Sequence, residues 1–440
     1  MVGHNHSNNQ CARNTINDGP VTNLDYNFFI NSASRRYRQS PLREIADIFD
    51  SLPEGKVNIA LGFPNAATFA FQNINVTLKN GLSLTLKGVT LNKALQYGSS
   101  QGNSDFVNWL KQFQDRFHGP LVWKAYDVIP SSGSQEAISL IVSTILESDD
   151  VVIIQTPTYP GVLSLLKPKN IEMIPLHTDI EGVQIESLRQ ILKERSISGK
   201  SMPKLIIVNS TGGNPSGITI SEKEKKDIYQ LACKYNFLIL EDDPYYFLSY
   251  SDDIPKSFLS MDSERRVLRL DSFSKIVSPG LRLGFVTGPK EVLEKMICHL
   301  QSSSIHPSGL SQVIIHELMK QWQHNGFMQH VKEVKMFYQR NRDIMLQAID
   351  THLKGLVDYI VPSAGFFLWL RLKFIRDSKI FVQKCLENLI LVTSGDAFYE
   401  QDDKMTSSIR LSFSAIDEDQ IDHVISTLAT LIREEMADKK

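Results

Sequence analysis

Cysteine is scarce in this chain, and the four that occur are scattered. Cys11, Cys233, Cys298 and Cys385 stand far apart among 440 residues, with no C-x-x-C spacing. That argues against a disulfide framework or a thiolate zinc site and fits a reducing compartment. No apolar run approaches the ~20 residues that a membrane-spanning helix needs. An excess of either charge is also missing: 47 Lys and Arg against 49 Asp and Glu leave a net charge of −2. No overall field therefore draws the chain to nucleic acid or to anionic lipid. Internal repeats and low-complexity linkers are absent as well. What remains is an ordinary globular composition, 42% hydrophobic and 22% charged, in a chain too long for one simple core and suited to two domains.

The first 25 residues are polar and rich in Asn. They hold none of the apolar stretch of a secretory signal. With Arg13 as their one arginine, and with Asp18 and Asp25 present, they differ from an Arg-rich, acid-poor mitochondrial presequence. The expected compartment is the cytoplasm, with the mitochondrion as the alternative. His4 and His6 form a His-x-His, which in such a tail implies no metal site.

Short β-branched runs alternate with amphipathic stretches through the middle of the chain. Val151 to Ile154, Leu205 to Val208, Phe237 to Leu240 and Val267 to Leu270 read as buried strands. Ile228, Leu231, Ala232 and Tyr235 recur at helical spacing behind a capping box, Ser221 with Glu224. Strands alternating with helices predict an α/β fold with a mostly parallel sheet covered on both faces. From about Gly326 the pattern turns to long helices, followed by the strand-like Phe366 to Leu370 and Ile409 to Phe413. The expected division is a disordered tail (1–25), a segment joining the small domain (26–70), a large domain (71–325) and a C-terminal small α/β domain (326–440).

In open parallel sheets ligands bind beyond the carboxyl ends of the strands. Four predicted strands each deliver a reactive or hydrogen-bonding residue there: Tyr159, Asn214, Asp242 with Tyr245, and Lys275. Singly these are ordinary turn residues; four along one edge make a site. Lys275, in Asp271-Ser272-Phe273-Ser274-Lys275, suits covalent capture of a carbonyl cofactor. Arg282 seven residues on, with Ser272 and Ser274, suits its phosphate. Gly133-Ser134-Gln135 at a predicted helix start adds free N–H groups and the positive end of a helix dipole. These types fit pyridoxal 5′-phosphate (PLP), whose ring nitrogen stays protonated when a buried carboxylate pairs with it. Asp242 is the candidate, and Glu241 and Asp243 are not separated from it by spacing. Tyr245 and Asn214 have the donors to hold the phenolic oxygen, and Tyr159 a ring to lie on the pyridine. Arg410, in a predicted strand, offers a planar fork for a substrate α-carboxylate if it faces the cleft rather than solvent.

Together these residues resemble the fold-type-I, PLP-dependent aminotransferases of class I, from about Tyr26 to Glu435. Leu95-Gln96-Tyr97, Ser132-Gly133-Ser134-Gln135, the run from Glu241 to Phe247, the Lys275 motif, Gly395-Asp396-Ala397-Phe398-Tyr399 and Ser40-Pro41-Leu42-Arg43 look like the kynurenine/α-aminoadipate aminotransferase branch. The resemblance implies a homodimer with active sites at the interface. Tyr97 would then reach the phosphate of the neighbouring subunit's cofactor, and Arg43, Gly62 and Phe63 would line the side-chain pocket. It also implies ping-pong transfer from L-kynurenine or L-2-aminoadipate to 2-oxoglutarate, with aromatic amino acids or methionine as further donors. A broad aromatic aminotransferase or a cysteine-conjugate β-lyase would use the same scaffold. Non-catalytic alternatives are a binding protein of this fold, or a regulator carrying a DNA-binding domain. The chain departs from the pattern at Ser210-Thr211-Gly212-Gly213 (an Asn-rich turn in the family), at Ser216 (Thr), at Phe63 (a smaller apolar residue) and at Asp396 (Asn). The last two bear on pocket width and charge.

Overall fold

The computed structural model describes residues 24–53, 55–119, 121–251 and 256–437. The expected tail, with His4, His6 and Cys11, lies outside the described residues except for Leu24 and Asp25.

Strands Val151–Thr156 and Leu238–Asp242 are buried along their whole length, and Leu205–Asn209 and Val267–Ser272 nearly so. A strand covered on both faces needs apolar side chains at every position, which is why these runs do not alternate. Burial nevertheless separates by a period of two. Ile153, Ile206, Val208 and Ile239 face helix Glu222–Tyr235 through Ile228, Leu231 and Ala232. Val152, Ile154, Leu205, Ile207 and Leu240 face helices Ser134–Ile145 and Lys290–Ser302 on the other side. The capping box forms as the sequence predicts: Ser221 and Glu224 bond reciprocally at the start of the first of these helices.

The sheet has eight strands, in the order Tyr126–Ser131, Gly284–Pro289, Val267–Ser272, Leu238–Asp242, Leu205–Asn209, Val151–Thr156, Glu172–Asp179 and Gly182–Val183. Neighbours from Val267–Ser272 through Glu172–Asp179 pair in parallel. Gly284–Pro289 runs antiparallel to both of its neighbours. The carboxyl ends of the four central strands therefore share one edge.

A second, antiparallel sheet orders Val357–Asp358, Phe367–Leu372, Ser408–Ser412 and Thr393–Ser394. The long helix Gly309–His352 links the two bodies and is broken at Gln323, whose φ of 52° and ψ of −166° are not helical. Ahead of the break Val313 packs with Leu86 and Leu91. Beyond it Met345 and Ile349 share a core with Ile425 and Leu428 of helix Glu418–Ala437.

One stretch sits where the sequence reading did not put it. Residues 26–36 pack on the helical layer of the large sheet, whereas the whole of 26–70 was expected on the small domain. Phe29 and Ile30 enter the core around helix Ser134–Ile145, and Asn31 donates to the carbonyls of Ser143 and Leu146 at 2.7 and 3.1 Å. That asparagine supplies donors to carbonyls at a helix end, where intrahelical donors run out. Among the described residues no helix is long and apolar enough to cross a membrane.

Candidate active site

A cavity of about 210 Å³ opens at the carboxyl edge of the parallel strands. Ser134, Gln135, Tyr159, Asn214, Asp242, Tyr245, Ser272, Ser274, Lys275 and Arg282 all line it, as do Asn209 and Phe367. The strand ends predicted from sequence thus converge on one space.

Its floor is a carboxylate. Asp242 ends strand Leu238–Asp242, is 7% exposed, and leaves Oδ1 without a hydrogen-bond partner. Burial, joined by the like charge of Asp243, pushes its carboxyl up to about 7 against the pull of Lys275 and Arg269. Glu241 and Asp243 are engaged elsewhere. Both lie 3.0 Å from Nη1 of Arg269, a fully buried guanidinium that also grips Asp271 at 2.9 Å through Nη2 and 3.1 Å through Nε. Glu241 further accepts from the Phe258 N–H and the Ser210 hydroxyl, each at 3.0 Å. Of the three adjacent carboxylates only Asp242 lines the cavity.

Lys275 stands three residues beyond Val267–Ser272, with Nζ 5.9 Å from the centre of the Tyr245 ring and 5.4 Å from that of Phe366. Burial lowers the pKa of its amine, Asp242 opposes that shift, and Arg282 adds to it. A lysine so placed deprotonates more readily than one in water.

An anion cradle forms one end. Helix Ser134–Ile145 begins at Gly133, which supplies no side-chain cap, and the Ser134 hydroxyl is buried without a partner. Gly133 has a φ of +86°, and a Cβ there would sit 2.7 Å from Nη2 of Arg282. Glycine is what lets the guanidinium close over the helix start, where Nη2 donates to the Ser132 carbonyl at 2.9 Å.

Arg410 comes from the small sheet and turns inward. Its Nη1 donates to Oδ1 of Asn214 at 2.8 Å, its Nη2 reaches Thr393 at 3.4 Å, and Nε is buried without a partner. The guanidinium lies 4.4 Å from the centre of the Phe367 ring. The loop that carries Asn214 is fixed on both sides. Oδ1 of Asn209 accepts from the Asn214 N–H at 2.9 Å, and Gly212, with a φ of +56°, approaches so closely that a Cβ would lie 2.6 Å from the Ala364 carbonyl carbon. Glycine at 212, one of the departures noted above, is thus needed for the small domain to meet this loop.

The sequence matches the family described as Aminotransferase class I and II over residues 74–428. The chain belongs to the class I and II aminotransferases. Its relatives include the mitochondrial kynurenine/alpha-aminoadipate aminotransferase of Bos taurus, 36% identical over 94% of this chain and 100% of that one. Aminotransferase tdiD of Emericella nidulans is 33% identical over 91% of this chain and 94% of that one. Among solved structures, aminotransferase Aro8 of Candida albicans superposes with a TM-score of 0.84 at 25% identity, over 94% of this chain and 99% of that one. A kynurenine aminotransferase of Pyrococcus horikoshii gives 0.75 at 30% identity, over 94% and 98%.

This aminotransferase is a PLP-dependent transferase of fold type I, and the residues present suit that cofactor. An unpartnered buried carboxylate, a lysine amine and a helix-start cradle with an arginine occupy one cavity. Tyr97, Arg43 and Phe63 form a cluster of their own: the Arg43 guanidinium lies 6.0 Å from the centre of the Tyr97 ring, which is 6.2 Å from that of Phe63. None of them, nor Gly62, lines the cavity of the same chain. Asp396 does not line it either; its carboxylate is held by Ser394 and by Lys379 at 3.2 Å.

Sequence reasoning missed Asn209 and Phe367. Asn209 donates to the Asp242 carbonyl at 2.6 Å besides holding Asn214, so it ties two strand ends together. Its position as the last residue of an apolar run was a usable signal.

Proposed function

We propose that this aminotransferase moves the α-amino group of L-kynurenine or L-2-aminoadipate to 2-oxoglutarate in a ping-pong cycle. The observation that carries the reading is one cavity holding the Lys275 amine and the unpartnered Asp242 carboxylate, with Asn214, the partner of Arg410, also in its wall. When bound, PLP supplies an electron sink for charge that develops at the substrate Cα. The chain's own groups do the rest. Ser134, the N–H groups after Gly133, Ser272, Ser274 and Arg282 hold the phosphate. Gln135 and Tyr159 flank the ring, and Asp242 keeps its nitrogen protonated. Tyr245 and Asn214 orient the phenolic oxygen. Arg410 grips the substrate α-carboxylate through its planar fork, with aromatic faces that exclude water. Lys275, whose amine burial makes easier to deprotonate, moves the proton off Cα.

The donor assignment rests on relatives named for kynurenine and aminoadipate. The site is proposed to be shared between two copies of the chain. Tyr97 is 50% exposed and clusters with Arg43 and Phe63 outside its own cavity, and Leu42, Ile45, Ile48 and Ile59 are exposed as well. In a homodimer the partner would bring this cluster to the substrate side chain and the phosphate. Sedimentation at the mass of one chain in the PLP-loaded protein would overturn that arrangement.

The direct test is the visible spectrum of the PLP-loaded protein before and after kynurenine or aminoadipate is added without any oxo acid. The expected result is conversion of the cofactor band and one equivalent of the 2-oxo acid per site. Conversion by phenylalanine or tyrosine alone would favour the broad aromatic aminotransferase, and no conversion by any amino acid would sink the transaminase reading.

A further inference from the structure

Asn209 lines the cavity but carries no group that titrates or attacks. It and Asp242 are the last paired residues of their two strands. Beyond that pair its side chain takes over the tie. Nδ2 donates to the Asp242 carbonyl at 2.6 Å, and Oδ1 accepts from the Asn214 N–H at 2.9 Å. One partner is an acceptor and the other a donor, so it takes an amide in this orientation to serve both. The backbone N–H of Asn209 is held in turn by the side-chain carbonyl of the buried Gln155, from the strand on its other side. The loop that follows closes on itself: the Gly213 N–H reaches the Ile218 carbonyl at 2.8 Å, and the Ile220 N–H the Ser210 carbonyl at 2.9 Å. Gly213 sits so near that a Cβ there would lie 3.1 Å from the Asn209 carbonyl oxygen. Asn214 then carries the line across to the small sheet, where its Oδ1 takes Nη1 of Arg410 at 2.8 Å. That bond decides which edge of Arg410 is left for a ligand. Nε and Nη2 share one edge of a guanidinium. Here Nε is buried without a partner, and Nη2 meets the Thr393 hydroxyl at 3.4 Å, near the limit of a hydrogen bond.

We propose that Asn209 is a positioning residue for the substrate α-carboxylate. It fixes Asn214, which occupies Nη1 of Arg410 and so presents the Nε–Nη2 edge to the carboxylate. The inference rests on the assignment of Arg410 to the α-carboxylate made above. Two parallel hydrogen bonds form only when both carboxylate oxygens lie in the plane of the fork, so the orientation of the guanidinium matters as much as its charge. With the Asn209 amide gone, the Asn214 backbone loses its hold on the strand end, and the large domain no longer sets that plane. The rings of Phe367 and Phe398, centred 4.4 and 5.0 Å from the guanidinium, still enclose it. The charge therefore stays in the site while its orientation loosens. The loss falls on affinity for the carboxylate, not on proton transfer by Lys275.

The test is calorimetric titration of the PLP-loaded protein with 3-phenylpropionate, which has a carboxylate and an aromatic ring but no amino group to react. In Asn209→Leu the Kd is expected to rise about tenfold, the scale of one misplaced hydrogen bond to a charged group, with the number of binding sites per chain unchanged. A merely structural fault would lower the number of competent sites instead. Asn214→Ala supplies the other side of a double-mutant cycle. Because Asn209 acts through Asn214, its substitution should change the Kd by less than about twofold in the Asn214→Ala background. Equal losses in the two backgrounds, or a wild-type Kd in Asn209→Leu, would overturn the proposal. Arg410→Met tests the assignment beneath it, and should weaken binding by about a hundredfold or more. A wild-type Kd there would remove Arg410 from the carboxylate and take the proposal with it. Weakening in Arg410→Met without weakening in Asn209→Leu would leave the assignment standing and refute the proposal alone. Asn209 is only partly buried. Should the leucine variant not fold, Asn209→Ala, which leaves room for water, enters the same cycle and is read against the same outcomes.

Discussion

Lys275→Ala is expected to lose transamination by at least about four orders of magnitude while unfolding at the temperature of the wild type. A positioned general acid–base alone contributes ~10²–10⁴ in rate, and the covalent hold on the cofactor is lost as well. The fold should not notice. Lys275 is half-buried at a loop, and burial disfavours its charge, so removing the amine relieves a desolvated group rather than breaking a core. Substitutions of that kind stay within about 0.5 kcal/mol. Initial-rate assays with kynurenine and 2-oxoglutarate, beside a thermal melt, read both halves. Residual activity within tenfold of the wild type would remove Lys275 from the chemistry. A large fall in melting temperature would make its role structural.

Much of this site was legible because parallel strands announce where they end. The runs closing at Thr156, Asn209, Asp242 and Ser272 are apolar until their last one or two residues, Arg269 excepted. The first polar residues beyond them fall at the ligand-binding edge by topology alone. The choice among Glu241, Asp242 and Asp243 was not legible. It depends on Arg269, which lies in the adjacent strand opposite Glu241 and reads in sequence as one charge within an apolar run. Pairing across a sheet is a tertiary fact, and one residue's spacing does not carry it. Arg410 failed to declare itself for the same reason, since what turns it inward is Asn214, 196 residues away. The short helices at 26–36 offered too few turns for a periodic stripe, so their docking on the large domain left no pattern to read. The break at Gln323 had no proline to mark it.

Arg269→Met should be the most damaging single change to stability, at about 3–5 kcal/mol, because it strips the shared counter-charge from a buried cluster. A bridge of this kind adds little to stability compared with a well-packed apolar core. Once the carboxylates are built around it, however, removing the cation leaves Glu241, Asp243 and Asp271 with weaker partners: Lys225 3.9 Å from Glu241, the Phe258 N–H and Ser210 hydroxyl on the same carboxylate, and the Gln114 amide 2.8 Å from Asp271. Methionine fills most of the volume, so the loss reports charge and hydrogen bonding more than a cavity. The dependence on pH separates the two. Burial works against the charge of Glu241, but Arg269 and Lys225 prevail and hold its pKa below the usual value. A depressed carboxylate contributes stability that is present above its unfolded pKa and lost as pH falls through the folded one. The gap between wild type and Arg269→Met, measured by urea unfolding, should therefore narrow from neutral pH toward pH ~4 as the abandoned carboxylates take up protons. A gap that held constant over that range would assign the loss to packing around the guanidinium.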